Sequence, residues 1–446
     1  MKNEAINNLN AEINRVYLIK DPDIIRFLLA TTTSQFLPAD PVWPIIVAPS
    51  GGCKSEFINM LSLVAWIPPG ENQKEQFVTP ISTLTAHTFI SGFKATKQAS
   101  LLNKIINGII TIKDFTSLLS EHPDVRSAIM SQLREIYDGA YSKPFGNGED
   151  VIWKGKITVI AASTFKIHSM KQQYSSMGER FIFYNLLQPD REAAAEKTMD
   201  NQEQGIMKKN RQHLSEMYRD VQTDILNTMP KEIPNVDKNM QRDVIALAEL
   251  ATRARSDVQR DFKTQEITEV LPPEMPTRFA GQLQTILQSF QIVHNYETGE
   301  FTTTESHIKV VNKIALDSIP TMRRITLQQL AQYESIETAG LATKISLPTN
   351  SVRRYLQDLT ALEIVDRTSG RGSQGDKWTI KDKYRALITR FEGITFQGGE
   401  LIGNEPEDDS DDPELTNEQI ADQVQQERME QEYAEQQQLL EKEKDI

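Results

Sequence analysis

The sequence predicts an α/β protein in three parts: a parallel-sheet core, a long helical stretch, and a small module of helices with a hairpin. Three observations lead there. Up to residue 190, short apolar runs alternate with helix-like patterns. From 191 to 319 the chain becomes long-patterned, charged and helical, interrupted at Pro230, Pro234, Pro272, Pro273 and Pro276. From 320 to 398 the helical patterns shorten and end in a Gly-rich loop between two short strand-like runs.

Bulk properties bound the function. The 446 residues are too many for one ordinary domain and suit two or three. No apolar run has the length to span a bilayer, and the opening MKNEAINNLN lacks the basic-then-apolar pattern of a secretory signal. The single cysteine, Cys53, allows no internal disulfide, so a reducing cytoplasm is expected. The net charge is -13, but residues 400 to 446 hold 17 acidic and 3 basic residues, a net of -14. The rest of the chain is therefore close to neutral at +1, and the acidic balance does not argue against nucleic-acid binding by the body.

The elements follow in order. Residues 1–40 read as a helical segment, with apolar Ile13, Val16, Tyr17, Ile24, Ile25, Phe27 and Leu28. The core, 41–190, begins with an apolar run, Trp43 to Val47, then a Gly-rich turn, then a helical pattern from Glu56 to Ala65. Gly108 to Ile112 and Ile157 to Ala162 read as further buried strands, with a helix from Val125 to Ile136 between them. Residues 191–319 are expected to form an all-helical domain, and 399–446 an acidic, Gln- and Glu-rich tail, either disordered or a solvated helix.

Ala48-Pro49-Ser50-Gly51-Gly52-Cys53-Lys54-Ser55, with Glu56 following, is a candidate phosphate loop. Such loops read G-x-x-x-x-G-K-[ST]: backbone N–H groups cradle phosphates, the lysine reaches the outer phosphates and the Ser/Thr hydroxyl holds Mg²⁺. Ala48 and Cys53 stand where both signature glycines belong, so the strict pattern fails. The strand before, the helix after and Lys54-Ser55 in register carry the assignment, and Gly51 and Gly52 can take the unusual backbone angles. Cys53 reads as a small residue filling a glycine slot rather than a redox group.

A nucleotide hydrolase of this kind needs an acid at the end of a neighbouring strand to hold Mg²⁺. Asp114, after Gly108 to Lys113, supplies it. The next residue in many such enzymes is a water-activating glutamate; here it is Phe115. Glu135 is a candidate base that only folding can bring close. Ser163-Thr164 closes the third apolar run, where a hydroxyl, that of Thr164, can meet the γ-phosphate or the attacking water. Arg180, in Gly178-Glu179-Arg180-Phe181, is a candidate arginine finger on a neighbour's nucleotide, the other reading being a salt-bridged arginine.

This order of motifs resembles the AAA+ superfamily and, within it, the clade of the minichromosome-maintenance helicases. The resemblance runs over residues 35–320. It includes Leu133 to Gly139, similar to the helix before that clade's β-hairpin insert, and Pro276-Thr277-Arg278-Phe279, where such proteins carry a second sensor arginine. The stretch also looks like phage and mobile-element ATPases with a GKTE-type loop, a KDFT strand end and a GERF motif. The resemblance implies ATP and Mg²⁺ as ligands, Arg278 as that sensor, and a homo-oligomeric ring, a hexamer, with sites shared between subunits. The missing loop glycines and the missing glutamate put hydrolysis itself in question.

The last module, 320–398, shows amphipathic helices at Ile325–Tyr333, Glu337–Ile345 and Asn350–Leu362, then a hairpin through Ser369 to Gly375. This resembles a winged helix-turn-helix, in which the third helix enters the major groove. It carries 12 basic and 8 acidic residues, and Arg353, Arg354, Arg371 and Lys377 are the candidate DNA contacts. Winged helices also dock proteins, which is the competing reading. The expectations are thus a DNA-dependent ATPase or helicase-like motor in replication of a phage or mobile element, or instead a nucleotide-switched DNA-binding regulator or helicase loader with slow or absent hydrolysis. The tail is expected to be a solubility segment or to dock a protein partner.

Overall fold

The computed structural model describes residues 4–389, apart from 70–76, 86–87, 90–100, 106, 145–149, 170–179, 204–205 and 371–374. The expectations for 399–446, for Arg371 and for Gly178-Glu179 lie outside the described residues. Two helices come first, α1 (Ala5–Val16) and α2 (Ile24–Ser34). In α1 the buried Ile6, Leu9, Ile13 and Val16 recur every three or four residues and form one apolar stripe. Then follow β1 (Trp43–Val47), α3 (Lys54–Ser62), β2 (Val78–Ile81), α4 (Leu101–Lys104), β3 (Asn107–Ile112), α5 (Phe115–Leu119) and α6 (Pro123–Tyr137). A hairpin, β4 (Ala140–Pro144) with β5 (Asp150–Lys154), leads into β6 (Lys156–Ser163), α7 (Lys166–Ser169) and β7 (Phe181–Asn185).

β1, β2, β3, β6 and β7 form one parallel sheet in the order β2-β3-β6-β1-β7. The runs are apolar throughout because both faces of the sheet are covered. Ile46, Ile109, Ile160, Ala162 and Ile182 face one core; Ile45, Val47, Ile110, Val159, Ala161 and Phe183 face the other. The chain leaves β1 for the β2 edge, returns to lay β6 beside β1, then crosses β1 to reach β7. Such a reversal opens a crevice at the carboxyl ends of the strands, where ligands of α/β sheets bind. The loop after β1 lies there.

The next stretch holds α8 (Arg191–Glu203), α9 (Met207–Asn227), α10 (Lys238–Ala254), the strands β8 (Val258–Arg260) and β9 (Ile267–Val270), then α11 (Thr277–Thr298) and α12 (Glu305–Asp317). The all-helical expectation for 191–319 is corrected by the antiparallel β8–β9 hairpin. Its turn is local chemistry: Asp261 Oδ1 accepts from the N–H groups of Lys263 (2.9 Å) and Thr264 (2.7 Å), and Gln265 takes a left-handed φ of 58°. The strands are short and mostly solvent-facing, so no apolar alternation betrays them.

The final module has α13 (Thr321–Ala331), β10 (Ile336–Glu337), α14 (Thr338–Ile345), α15 (Thr349–Ala361), β11 (Val365–Thr368), β12 (Lys377–Ile380) and α16 (Asp382–Thr389). Its strands form an antiparallel sheet in the order β10-β12-β11. Trp378 is fully buried and donates its Nε1–H to Thr338 Oγ1 at 2.8 Å. One continuous apolar core runs from α1 through α3, α9 to α13 and on to α16. Among the described residues, no helix is long and apolar enough to cross a membrane.

Candidate functional site

The loop Ala48–Ser55 joins β1 to α3 at the carboxyl edge of the sheet. Gly51 has φ 81°, and Cys53, where a glycine is the usual residue, holds φ 59° itself. A left-handed non-glycine costs about 1–2 kcal/mol, so the surrounding packing must over-determine this turn. Gly52 is tight for another reason: a Cβ there would lie 2.7 Å from Gln188 Oε1 and 3.1 Å from both Ala48 Cβ and Pro49 O. Gly52 N–H closes the turn on Pro49 O at 3.0 Å. Lys54 opens α3, is 9% exposed, and donates from Nζ to Pro49 O at 3.1 Å. Burial lowers its pKa, and the Asp114 charge pulls it back up, so the two side chains share one electrostatic environment. Burial and the Glu56 charge push the Cys53 thiol up to about 11, which keeps it a protonated filler and not a nucleophile.

Asp114 stands two residues past the end of β3, is exposed, and caps α5 by accepting from Thr116 N–H at 2.9 Å. Phe115 turns the other way: it is buried against Phe181, ring centroids 5.0 Å apart. The position where a water-activating glutamate would follow Asp114 therefore belongs to the core. Thr116 Oγ1 lies 2.8 Å from the buried Ser163 Oγ and 3.4 Å from Thr164 Oγ1, and it accepts from Thr164 N–H at 3.2 Å. The ends of β3 and β6 are thus stitched by three hydroxyls. Thr116 was not singled out from the sequence; its signal is its position two residues after the strand-end acid.

Glu56 is held at the side of the loop. It accepts from Arg211 (Nε 2.8 Å, Nη2 2.6 Å) and from Tyr17 Oη at 2.9 Å. Burial raises its pKa, but the hydrogen bonds from Arg211 and Tyr17 outweigh this and leave it below the ordinary carboxylate value. Cys53, Glu56, Tyr17, Arg211 and Leu214 line a narrow cleft beside the loop. Nothing local in the sequence announces this pairing, which joins α1, α3 and α9. A second cluster stands past the end of β7. Asp317 takes Asn185 N–H (2.8 Å) and Nδ2 (3.1 Å), and pairs with buried Lys313 and Arg324.

Arg180, Arg278 and Glu135 lie away from the loop. Arg180 precedes β7 at the amino edge of the sheet, beside the start of β1, so the length of a five-residue strand, roughly 15 Å, separates it from the loop. Its side chain is 6% exposed and is held by Asp138 through Nη2 (2.9 and 3.1 Å), with the Tyr137 ring centroid at 5.4 Å. In the single chain it is therefore a salt-bridged arginine rather than one presented to solvent. Arg278, half-buried at the start of α11, acts electrostatically on both Arg180 and Tyr137. The two arginines expected to serve the nucleotide thus share one region. Glu135 is exposed near the end of α6, close enough to raise the Tyr141 pKa behind burial, at the hairpin that feeds the amino end of β6. It is not brought to the loop.

Several of the expected residues do converge. Ser55 is exposed at the N-terminus of α3, and Lys54, Asp114 and the Thr116–Ser163–Thr164 hydroxyls stand at the same sheet edge. Helix N-termini of this kind bind anions through free N–H groups. Ser55 and Asp114 suit Mg²⁺, which takes one or two protein oxygens beside phosphate and water. Among the described residues, no group of three or more His, Cys, Asp and Glu could hold a metal by itself. In the last module, Arg353, Arg354 and Lys377 are exposed, on α15 and β12. No family model matches the chain, and no curated protein does.

Proposed function

We propose that this chain is an ATP-binding AAA+ protein that assembles into a ring, a hexamer by resemblance, and works as a DNA-dependent ATPase or helicase-like motor, of the kind that serves replication of a phage or mobile element. The observation that carries the reading is the strand order β2-β3-β6-β1-β7 with the loop after β1, Asp114 after β3 and Ser163-Thr164 after β6 on one edge. That arrangement supports roles for the Gly51 to Ser55 backbone and Lys54 on the phosphates, and for Ser55 and Asp114 on Mg²⁺. The β4–β5 hairpin directly before β6 agrees with the helicase resemblance. So does the shared region of Arg180 and Arg278, remote from their own loop: in a ring they would serve the neighbour's nucleotide. The helices and three-stranded sheet of 321–389 read as a winged helix, and α8 to α12 as the lid.

Phe115 favours a second reading. Its ring lies in the core, so the position after Asp114 offers no carboxylate to activate water. That suits a nucleotide-switched DNA-binding regulator or a loader with slow turnover. ATPase activity with and without single- and double-stranded DNA, together with the mass in nucleotide, separates the two. DNA-stimulated turnover by a ring supports the motor. Nucleotide binding with negligible turnover supports the switch. Lys54→Ala should abolish nucleotide binding or turnover, and unchanged affinity and hydrolysis in that variant would sink the loop assignment.

A further inference from the structure

The face of α15 that a winged helix would offer to duplex DNA is not free on both flanks. The β8–β9 hairpin stands beside it, and Arg260 fixes the two together. Its guanidinium donates to Asp358 Oδ1 (2.6 and 3.1 Å) and to the Arg354 carbonyl (3.0 Å). Asp358 is buried and also takes Arg323 at 3.0 Å, so the hairpin is anchored through a two-arginine carboxylate rather than resting loosely. Between hairpin and helix runs a groove of about 540 Å³, inside the ~300–1,000 Å³ range of ligand sites.

Its helix wall is one polar stripe. Asn350, Arg353, Arg354 and Gln357 fall at the three- and four-residue spacing that aligns side chains along a helix face. Arg367 of β11 closes the floor above the Trp378 ring, paired with Asp376 at 2.7 Å. Arg353 and Arg354 therefore add their charge to an Arg367 already paired with Asp376, and Glu266 is the one carboxylate of the lining itself. Among the described residues, most other arginines are paired with carboxylates, whereas Arg353 and Arg354 have no ion-pair partner. At the hairpin tip Phe262 is 80% exposed, on a turn that Asp261 holds rigid.

We propose that this groove binds a single nucleic-acid strand, with phosphates on Arg353, Arg354 and Arg367 and a base stacked on Phe262. The proposal rests on the nucleic-acid side of the function above and changes its substrate. A helix with its side chains is ~10–12 Å across and already fills the ~12 Å major groove of a duplex. With a hairpin fastened along its flank, α15 has no clearance to enter. A single strand needs only a cationic track and an aromatic platform, both of which are present. Asn350, Gln357 and Gln265 supply amides for base edges without imposing one sequence.

The test uses the full chain, a fluorescein-labelled dT20 and a 20-base-pair duplex, with anisotropy read at several salt concentrations. The single strand should bind more tightly than the duplex. Arg353→Ala/Arg354→Ala should weaken dT20 binding about 10-fold or more and flatten the log–log salt slope by about 1.4, because two phosphate contacts are lost. Phe262→Ala should weaken it roughly 5- to 150-fold, the range of one base–aromatic stack. ATP affinity should stay unchanged in both variants. A duplex bound at least as tightly through the same arginines would overturn the proposal in favour of major-groove reading. So would dT20 binding indifferent to all three residues, or no nucleic-acid binding by a chain that still binds ATP, the last pointing to an acidic protein partner. If Lys54→Ala left nucleotide handling unchanged while dT20 binding still needed Arg353 and Arg354, the loop assignment would fail and the groove would stand.

Discussion

Replacing His307 with glutamine should make the protein less sensitive to acid. His307 is the third residue of α12 and 6% exposed. Its Nδ1 accepts the Thr304 N–H at 3.2 Å, its ring stacks on Phe290 at 5.4 Å, and His294 lies edge-on at 5.3 Å. Burial first, then the neighbouring His294 and Arg26, depress its pKa from 6.5 to about 4. In the unfolded chain the ring takes a proton below ~6.5, whereas in the fold it resists protonation until about 4. Stability is therefore full above pH 6.5, falls as the pH drops toward 4, and levels off below. At ~1.4 kcal/mol per pH unit, the loss attributable to this ring at pH 5 is about 2 kcal/mol. Glutamine at this position still reaches back to the Thr304 N–H, as in a capping box, but does not titrate. Urea denaturation of both proteins at pH 7.5 and pH 5 measures the difference. Wild type should lose about 2 kcal/mol more than His307→Gln over that interval. Equal losses would refute the reasoning, because the ring would then titrate alike in the folded and unfolded chain.

Three further outcomes follow from the same geometry. Gly52→Ala presses a Cβ onto the Pro49 carbonyl and Gln188, of which only the side chain can move aside; stability should change by less than about 1 kcal/mol while nucleotide affinity, by calorimetry, falls about tenfold or more. Asp317→Ala removes the carboxylate shared by buried Lys313 and Arg324 and should cost about 3–5 kcal/mol in urea denaturation. Arg180→Ala should keep nucleotide binding and lose turnover in the assembled ring; full activity there would reduce Arg180 to a structural partner of Asp138.

Parts of the fold were legible because their signals are local. The apolar run Trp43 to Val47, the glycines after it and the helix from Lys54 lie within twenty residues, and each follows from backbone freedom or periodicity. The helices at 321–331, 338–345 and 349–361 were legible for the same reason, within a few residues at their ends. The strands β2 and β7 were not: one is four residues with a proline, and the other begins inside a segment read for its arginine. The β8–β9 hairpin escaped because solvent-facing strands leave no apolar alternation.

The candidate site divides along the same line. By itself the sequence determined that Lys54 and Ser55 open a helix after a strand and a Gly-rich turn, and that Asp114 and Thr164 follow strands, since loop, strand end and helix start are fixed by neighbouring residues. Only the tertiary structure decided which of them meet and what else they meet. Thr116 joins Ser163 from 47 residues away, Arg211 reaches Glu56 from 155, and Arg180 finds Asp138 from 42. It also turned Phe115 into the core, left Glu135 at the far edge, and set a hairpin against the helix expected to read DNA. Hydrogen bonds and ion pairs act over a few ångströms, and sequence spacing does not encode which distant residues a fold brings within that range.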